Sequence, residues 1–171
     1  LVNGTFIKNH FKNMLIQEIT SANAPKAIGP YSPAVKLGDF VYMSGQLPTD
    51  PVTGEIVEGG IEAQTHQSLK NIQALLSEMN LEMRHIVKTT VFMTDLSEFA
   101  AMNEVYASYF DRPFPARSCV QVAALPKGAK VEIECLIIDT LVYERQMQGG
   151  CGGCQGGCSS EEGCCGGECC E

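Results

Sequence analysis

Apolar side chains recur at helical spacing in two segments of the chain. The first segment predicts a helix over residues 61–79, and its apolar stripe consists of Leu69, Ile72, Leu76 and Met79. The second follows Asp95 and Ser97, either of which can cap a helix. Its stripe consists of Phe99, Met102, Tyr106 and Tyr109. The sequence therefore predicts two amphipathic helices.

Runs rich in β-branched and aromatic residues predict strands around these helices. The runs are residues 15–20, DFVYMSGQL, HIVKTTVFMTDL, RSCVQVAAL and KVEIECLIIDT. The last two are joined by the short loop PKGA, which predicts a hairpin. In contrast, the prolines of APKAIGPYSPAV predict a loop. The order β-β-α-β-α-β-β indicates an α+β domain with helices packed on one face of a sheet.

Composition indicates a single domain with appendages. The chain has 171 residues, of which 44% are hydrophobic and 19% charged, so it can bury a sizeable core. Its net charge of -8 argues against electrostatic binding of nucleic acid, which needs a basic face. No apolar run approaches the roughly 18 to 20 residues of a membrane helix, so we expect a soluble protein without membrane contact.

Three regions differ in composition: an N-terminal extension at residues 1–13, a body at 14–143 and a Gly/Cys-rich tail at 144–171. The extension has no apolar core typical of a secretory signal, and Met14 is a candidate native start. Cys119 and Cys135 lie in apolar runs, where free cysteine commonly serves as a small hydrophobe. We therefore expect a reduced, cytoplasmic protein, with a mitochondrial location as the alternative.

The tail carries the other seven cysteines, which are Cys151, Cys154, Cys158, Cys164, Cys165, Cys169 and Cys170. Thiolates at such close spacing can bind zinc, copper(I) or an iron–sulfur cluster. Lipidation, oxidation and a disordered low-complexity extension are the alternatives. The tail is thus a candidate metal site, whereas the body offers none.

Four motifs in the body resemble a known family in order and spacing. They are AIGPYSPAV, MSGQLPTDPVTGE, IVKTTVFMTDLSEFAAMNEVY and FPARSCVQVAALPKGAKVEIE. Several long motifs in order are far more specific than one short pattern, and the chain resembles the reactive intermediate deaminase family, RidA/YjgF. This resemblance implies a chorismate-mutase-like α+β fold with a mixed sheet. It also implies a homotrimer with clefts between subunits.

The resemblance further implies an activity. Family members hydrolyse enamines and imines such as 2-aminoacrylate and 2-aminocrotonate to 2-keto acids and ammonia, without a metal or organic cofactor. The expected ligands are therefore small 2-imino and enamine acids. Two alternatives stay open: the endoribonuclease and translation-inhibitor activity of some relatives, and a non-catalytic module that binds small carboxylic acids.

Seven positions match the site of that family: Tyr31, Ser44, Gly45, Asn103, Arg117, Cys119 and Glu132. By resemblance, the catalytic residues are Arg117, which binds the substrate carboxylate, Glu132, which handles the water, and Tyr31, which lines the cleft from across the interface. The resemblance makes the other four positions substrate-binding.

The chemistry of these residue types agrees with the implied roles. Arg offers two parallel N–H donors in a fixed fork, which suits a carboxylate, although an arbitrary Arg more often forms a surface salt bridge. Glu132 and Glu134 face away from the apolar side of their strand, towards a site, solvent or a polar channel. We assign Glu132 to the water and leave Glu134 structural. Cys119 is interpreted as packing, because a nucleophilic cysteine needs a base and Arg117 cannot accept a proton.

Overall fold

The computed structural model describes residues 15–149. Its six strands are β1 (Gln17–Ile19), β2 (Ala34–Leu37), β3 (Phe40–Gln46), β4 (Ile86–Met93), β5 (Ala116–Gln121) and β6 (Val131–Ile138). They form one sheet in the order β1-β2-β3-β6-β4-β5. The β4–β5 pair is parallel and the other pairs are antiparallel, so the sheet is mixed. The predicted extension at residues 1–13 and the tail cysteines lie outside the described residues.

Both predicted helices are present, as α1 (Ile61–Ser77) and α2 (Phe99–Ala107). Helix α1 buries Leu69 and Ile72 completely, as its stripe requires. Asp95 caps the 3-10 turn that leads into α2, because its Oδ1 accepts a hydrogen bond of 2.8 Å from the backbone N–H of Ser97. The two candidate cap residues are thus donor and acceptor of the same bond.

The hydrophobic core lies between the helices and one face of the sheet. Alternate residues of the central strands are buried there, namely Val41, Met43, Val91, Met93, Val131, Ile133, Cys135 and Ile137. Their neighbours along each strand point to the other face, where Tyr42 is 53% exposed. Val120 of the edge strand β5 points to the same face and is 42% exposed. The predicted architecture, helices on one face of a mixed sheet, is therefore confirmed.

Two details of the predicted topology are wrong. The segment predicted as a loop ends at residues 34–35, yet these two residues form β2 together with residues 36–37, because the prolines end before Ala34 and the partner strand β3 supplies the ladder. The predicted hairpin between β5 and β6 is absent: β5 pairs with β4, and β6 lies between β4 and β3. The connection passes over the end of β4, where Val122 donates to the carbonyl of Met93 and Thr94 donates to the carbonyl of Lys130.

The order β4–α2–β5 forms a parallel crossover unit. It places α2 over the edge strand β5 on the helical face of the sheet. The position of Arg117 depends on this unit.

A second compact unit begins at Leu141 and contains helix α3 (Leu141–Gly149), which the sequence did not predict. None of the helices found in residues 15–149 combines the length and the apolarity that crossing a membrane requires.

Candidate active site

Arg117 is held by one face of helix α2. Its Nη2 donates a hydrogen bond of 2.8 Å to Oδ1 of Asn103. Its Cζ lies 4.6 Å from the ring centroid of Tyr106 and 5.5 Å from that of Phe99, within the range of cation–π attraction. Residues 99, 103 and 106 share a helix face because they are spaced by four and three. We call Phe99, Asn103 and Tyr106 the Arg117 platform.

The platform is electrically neutral. Within residues 15–149, no carboxylate lies within the 4.0 Å of Arg117 that defines a salt bridge. Arg117 is half-buried, so water screens its charge only in part. An anchored guanidinium without a protein counter-ion is suited to receive an anionic ligand.

Glu132 lies on the other face of the sheet, packed against the backbone of Gly45. A Cβ built on Gly45 would lie only 2.7 Å from Cδ and 2.8 Å from Cγ of Glu132. The contact forms where β3 is irregular, since its register with β6 shifts between Met43 and Gln46. Glycine at this position therefore makes room for the Glu132 side chain.

The Glu132 carboxyl group has a raised pKa. Burial is the main cause, and the negative charge of Glu134 adds to it. A carboxyl group whose pKa moves towards neutrality can exchange a proton with water or an amine more readily than an exposed one. This electrostatic setting favours an acid–base role.

Tyr31 and Ser44 belong to the same side of the site as Gly45. Tyr31 and Gly45 both line a cavity of about 310 Å³. The Ser44 hydroxyl donates a hydrogen bond of 2.8 Å to the carbonyl of Ser32, which ties the loop bearing Tyr31 to β3. We call Tyr31, Ser44, Gly45 and Glu132 the Glu132 cluster.

Cys119 packs beside Arg117 on the helical face. Its Sγ lies 3.7 Å from Sδ of Met93. Burial raises the pKa of the Cys119 thiol, although the charge of Arg117 opposes the shift. The thiol form therefore dominates at neutral pH, which argues against an activated nucleophile.

A single chain thus divides the predicted site residues into two groups. Arg117 and Cys119 lie on the helical side of β5, and Asn103 reaches Arg117 from α2. Glu132 alternates with buried neighbours in β6 and faces away from the helices. One chain therefore keeps Arg117 and Glu132 on opposite faces of the same sheet.

Two residues around Arg117 were missed as site residues. Tyr106 and Phe99 were interpreted only as members of an apolar stripe, yet their rings flank the guanidinium. The available signal was their spacing from Asn103, the one amide in that stretch of helix. No group of three or more His, Cys, Asp or Glu within residues 15–149 is arranged to hold a metal ion.

The family model described as endoribonuclease L-PSP matches residues 21–138 of this chain. RutC family protein y4sK of Sinorhizobium fredii is 50% identical over 123 residues, which are 72% of this chain and 98% of that protein. A 2-iminobutanoate/2-iminopropanoate deaminase of Salmonella typhimurium is 49% identical over 123 residues, which are 70% of this chain and 95% of that protein.

A solved structure of E. coli TdcF with bound serine resembles this fold, with a TM-score of 0.68 and 46% identity. The match covers 71% of this chain and 98% of that one. The matched region is therefore nearly the whole of the TdcF chain.

Proposed function

Because this chain belongs to the RidA/YjgF family, whose model is described as endoribonuclease L-PSP, we propose that it hydrolyses small 2-imino acids and their enamine tautomers. The products are 2-keto acids and ammonia. Relatives named 2-iminobutanoate/2-iminopropanoate deaminase, from Salmonella typhimurium and from mammals, support this reaction class.

The observation that carries the proposal is the anchored guanidinium of Arg117, which has no ion-pair partner within residues 15–149. A 2-imino acid has one permanent charge, its carboxylate. Arg117 is fixed on one edge by Asn103 and on its face by Tyr106, which leaves other N–H groups to bind a carboxylate. Binding at this end of the substrate orients the imine carbon, and orientation alone can lower a barrier by several kcal/mol.

The reaction then needs one water molecule. Enamine substrates first gain a proton at C3 and lose one from nitrogen, which gives the imine tautomer. Water adds to C2 of the imine while its proton passes to nitrogen, and Glu132 is the group proposed to transfer it. The hydroxyl proton of the resulting carbinolamine then passes to nitrogen, the C–N bond breaks to release ammonia, and the new C–O bond becomes the keto group. No oxidation or reduction occurs.

We further propose that the site is completed by a second copy of the chain in a homotrimer. The two groups of candidate residues lie on opposite faces of the sheet, so one subunit supplies Arg117 and its neighbour supplies Glu132. A cyclic trimer joins different faces of successive subunits, which fits this division of the site residues.

The test is a coupled assay in which a dehydratase generates 2-aminocrotonate and keto-acid release is followed. Arg117→Ala should lower kcat/KM by roughly 30- to 1,000-fold, the loss expected for a charge-assisted bidentate contact. Arg117→Lys should also lower kcat/KM strongly, because an ammonium group keeps the charge but lacks the two parallel N–H donors. The control, Arg84→Ala, removes an exposed arginine paired with Glu82 and should match the wild type.

Cys119→Ala belongs in the same series and should cost less than about tenfold, because Cys119 is proposed only to pack. An inactive Cys119→Ala beside an active Arg117→Lys would restore a nucleophilic cysteine. Wild-type protein that binds 2-oxobutanoate without accelerating keto-acid release would be a binding module. Cleavage of RNA that survives Arg117→Ala would favour the endoribonuclease activity.

A further inference from the structure

We propose that Tyr106, oriented by Thr89, is a positioning residue that sets the plane of the Arg117 guanidinium for its carboxylate ligand. This inference rests on the proposed function, in which Arg117 binds the substrate carboxylate. It adds to that function the device that aims the arginine.

The device spans three elements of the crossover unit. Thr89 of β4 and Arg117 of β5 are register partners in the parallel pair. Tyr106 reaches them from α2: its hydroxyl lies 2.7 Å from Oγ1 of Thr89, and its ring centroid lies 4.6 Å from Cζ of Arg117. The Tyr106 side chain therefore connects Thr89 of β4 to the guanidinium of Arg117.

Tyr106 has little freedom to tilt. It is only 4% exposed, and the ring of Phe110 stacks on it at a centroid distance of 4.6 Å and an interplanar angle of 30°. Thr89 is 1% exposed, so each hydroxyl depends on the other for a hydrogen bond. The bond therefore holds the Tyr106 ring at one tilt next to the guanidinium.

Two of the three contacts to Arg117, those of Tyr106 and Asn103, divide the task of orienting it. The ring of Tyr106 favours a guanidinium that lies over its face, which sets the plane. The bond to Asn103 sets the rotation within that plane. Burial raises the pKa of Tyr106, with Thr89 and Arg117 opposing the shift, so Tyr106 acts on Arg117 as a neutral ring at physiological pH.

A planar fork is useful only when its plane is fixed. A carboxylate accepts two parallel N–H bonds and adopts the plane of the guanidinium. The direction of the bond from the carboxylate to the imine carbon then follows from the direction of Arg117. Loss of the Thr89–Tyr106 bond should loosen that direction while the charge stays in place.

The experiment compares variants that lose a hydroxyl group but keep the shape of the side chain with a variant that loses the Tyr106 ring. Thr89→Val and Tyr106→Phe each remove one hydroxyl and should lower kcat/KM by about 3- to 10-fold. Thr89→Ser restores the hydroxyl and should match the wild type. Tyr106→Leu removes the ring and should lower kcat/KM by about 10- to 100-fold. Thr65→Val is the matched control, because it removes a buried hydroxyl bonded to a helix carbonyl elsewhere.

The decisive readout is a double-mutant cycle with Arg117→Lys. A lysine ammonium has no plane to set, so Thr89→Val should change kcat/KM by less than twofold in that background. An equal effect of Thr89→Val in both backgrounds would make Tyr106 a structural residue and overturn the proposal. Wild-type kcat/KM in both Thr89→Val and Tyr106→Phe, beside an impaired Arg117→Lys, would overturn it as well.

Binding of 2-oxobutanoate, measured by calorimetry on the intact protein, separates this inference from the proposed reaction. Arg117-dependent binding that weakens in Thr89→Val supports the positioning role even if the wild type hydrolyses no imine. If the wild type neither binds 2-oxobutanoate nor hydrolyses imines, both proposals are overturned. Thermal melts of every variant confirm that the comparison is made between folded proteins.

Discussion

Replacing Gly45 by alanine should disable the site while the fold survives. The backbone of Gly45 is outside the left-handed region, so alanine is tolerated there and only its methyl group matters. That methyl group would lie 2.7 Å from Cδ and 2.8 Å from Cγ of Glu132. To reach an ordinary contact of 3.4 Å, the Glu132 side chain must retreat by about 0.7 Å at these carbons, and its carboxylate moves further.

The expected magnitude follows from this displacement. Misplacing a catalytic group by about 1 Å costs on the order of 100-fold in rate. The fold should lose far less, because a flexible side chain can rotate away at a cost of about 0.5–1.5 kcal/mol. We therefore expect Gly45→Ala to lower kcat/KM on 2-aminocrotonate by about 100-fold and to lower Tm by at most a few degrees.

The assay should include Glu132→Gln and Gly60→Ala. Gly60 also lies outside the left-handed region, and a Cβ there would meet no atom within 4 Å, so Gly60→Ala should retain wild-type kcat/KM. Full activity of Gly45→Ala beside an impaired Glu132→Gln would refute the reasoning, because the carboxylate would then tolerate displacement. If Glu132→Gln retained the wild-type kcat/KM, Glu132 would have no part in the mechanism.

Two further predictions concern the same carboxylate and its partner arginine. If Glu132 acts in its ionised form, kcat/KM should fall as the pH drops through its raised pKa; Glu134→Gln removes one cause of the shift and should move this acidic limb to lower pH. An unmoved limb would show that another group controls it. Co-expressed Arg117→Ala and Glu132→Ala chains should regain activity. In trimers assembled at random, about a quarter of the sites combine an intact Arg117 from one subunit with an intact Glu132 from its neighbour. Isolated mixed trimers without activity would place the site within one subunit.

Much of this molecule is determined by local pattern. The stripe containing Leu69 and Ile72 predicted α1, and both side chains are fully buried. The alternation around Glu132 predicted that it faces away from the core, and the structure agrees. Such features follow from the sequence because burial at spacings of 3.6 and 2 residues depends on the backbone geometry of one element.

Pairing between distant segments was decided by tertiary structure. The turn PKGA predicted a hairpin, whereas β6 pairs with β3 and β4 and leaves β5 at the edge. A short polar loop fits a hairpin and a step over one strand equally well. The choice depends on which neighbour buries more of each strand, and no local pattern records that choice.

The surroundings of the site residues were likewise decided by the fold. The motifs of the chain indicated Arg117 and Asn103 but not that an amide and two aromatic rings meet at one guanidinium. The sequence predicts Tyr106 only as a core residue, because an apolar stripe indicates which side chains are buried but not which groups they contact. Its contact with Arg117 exists because the crossover unit lays α2 over β5, bringing together residues that lie on different elements.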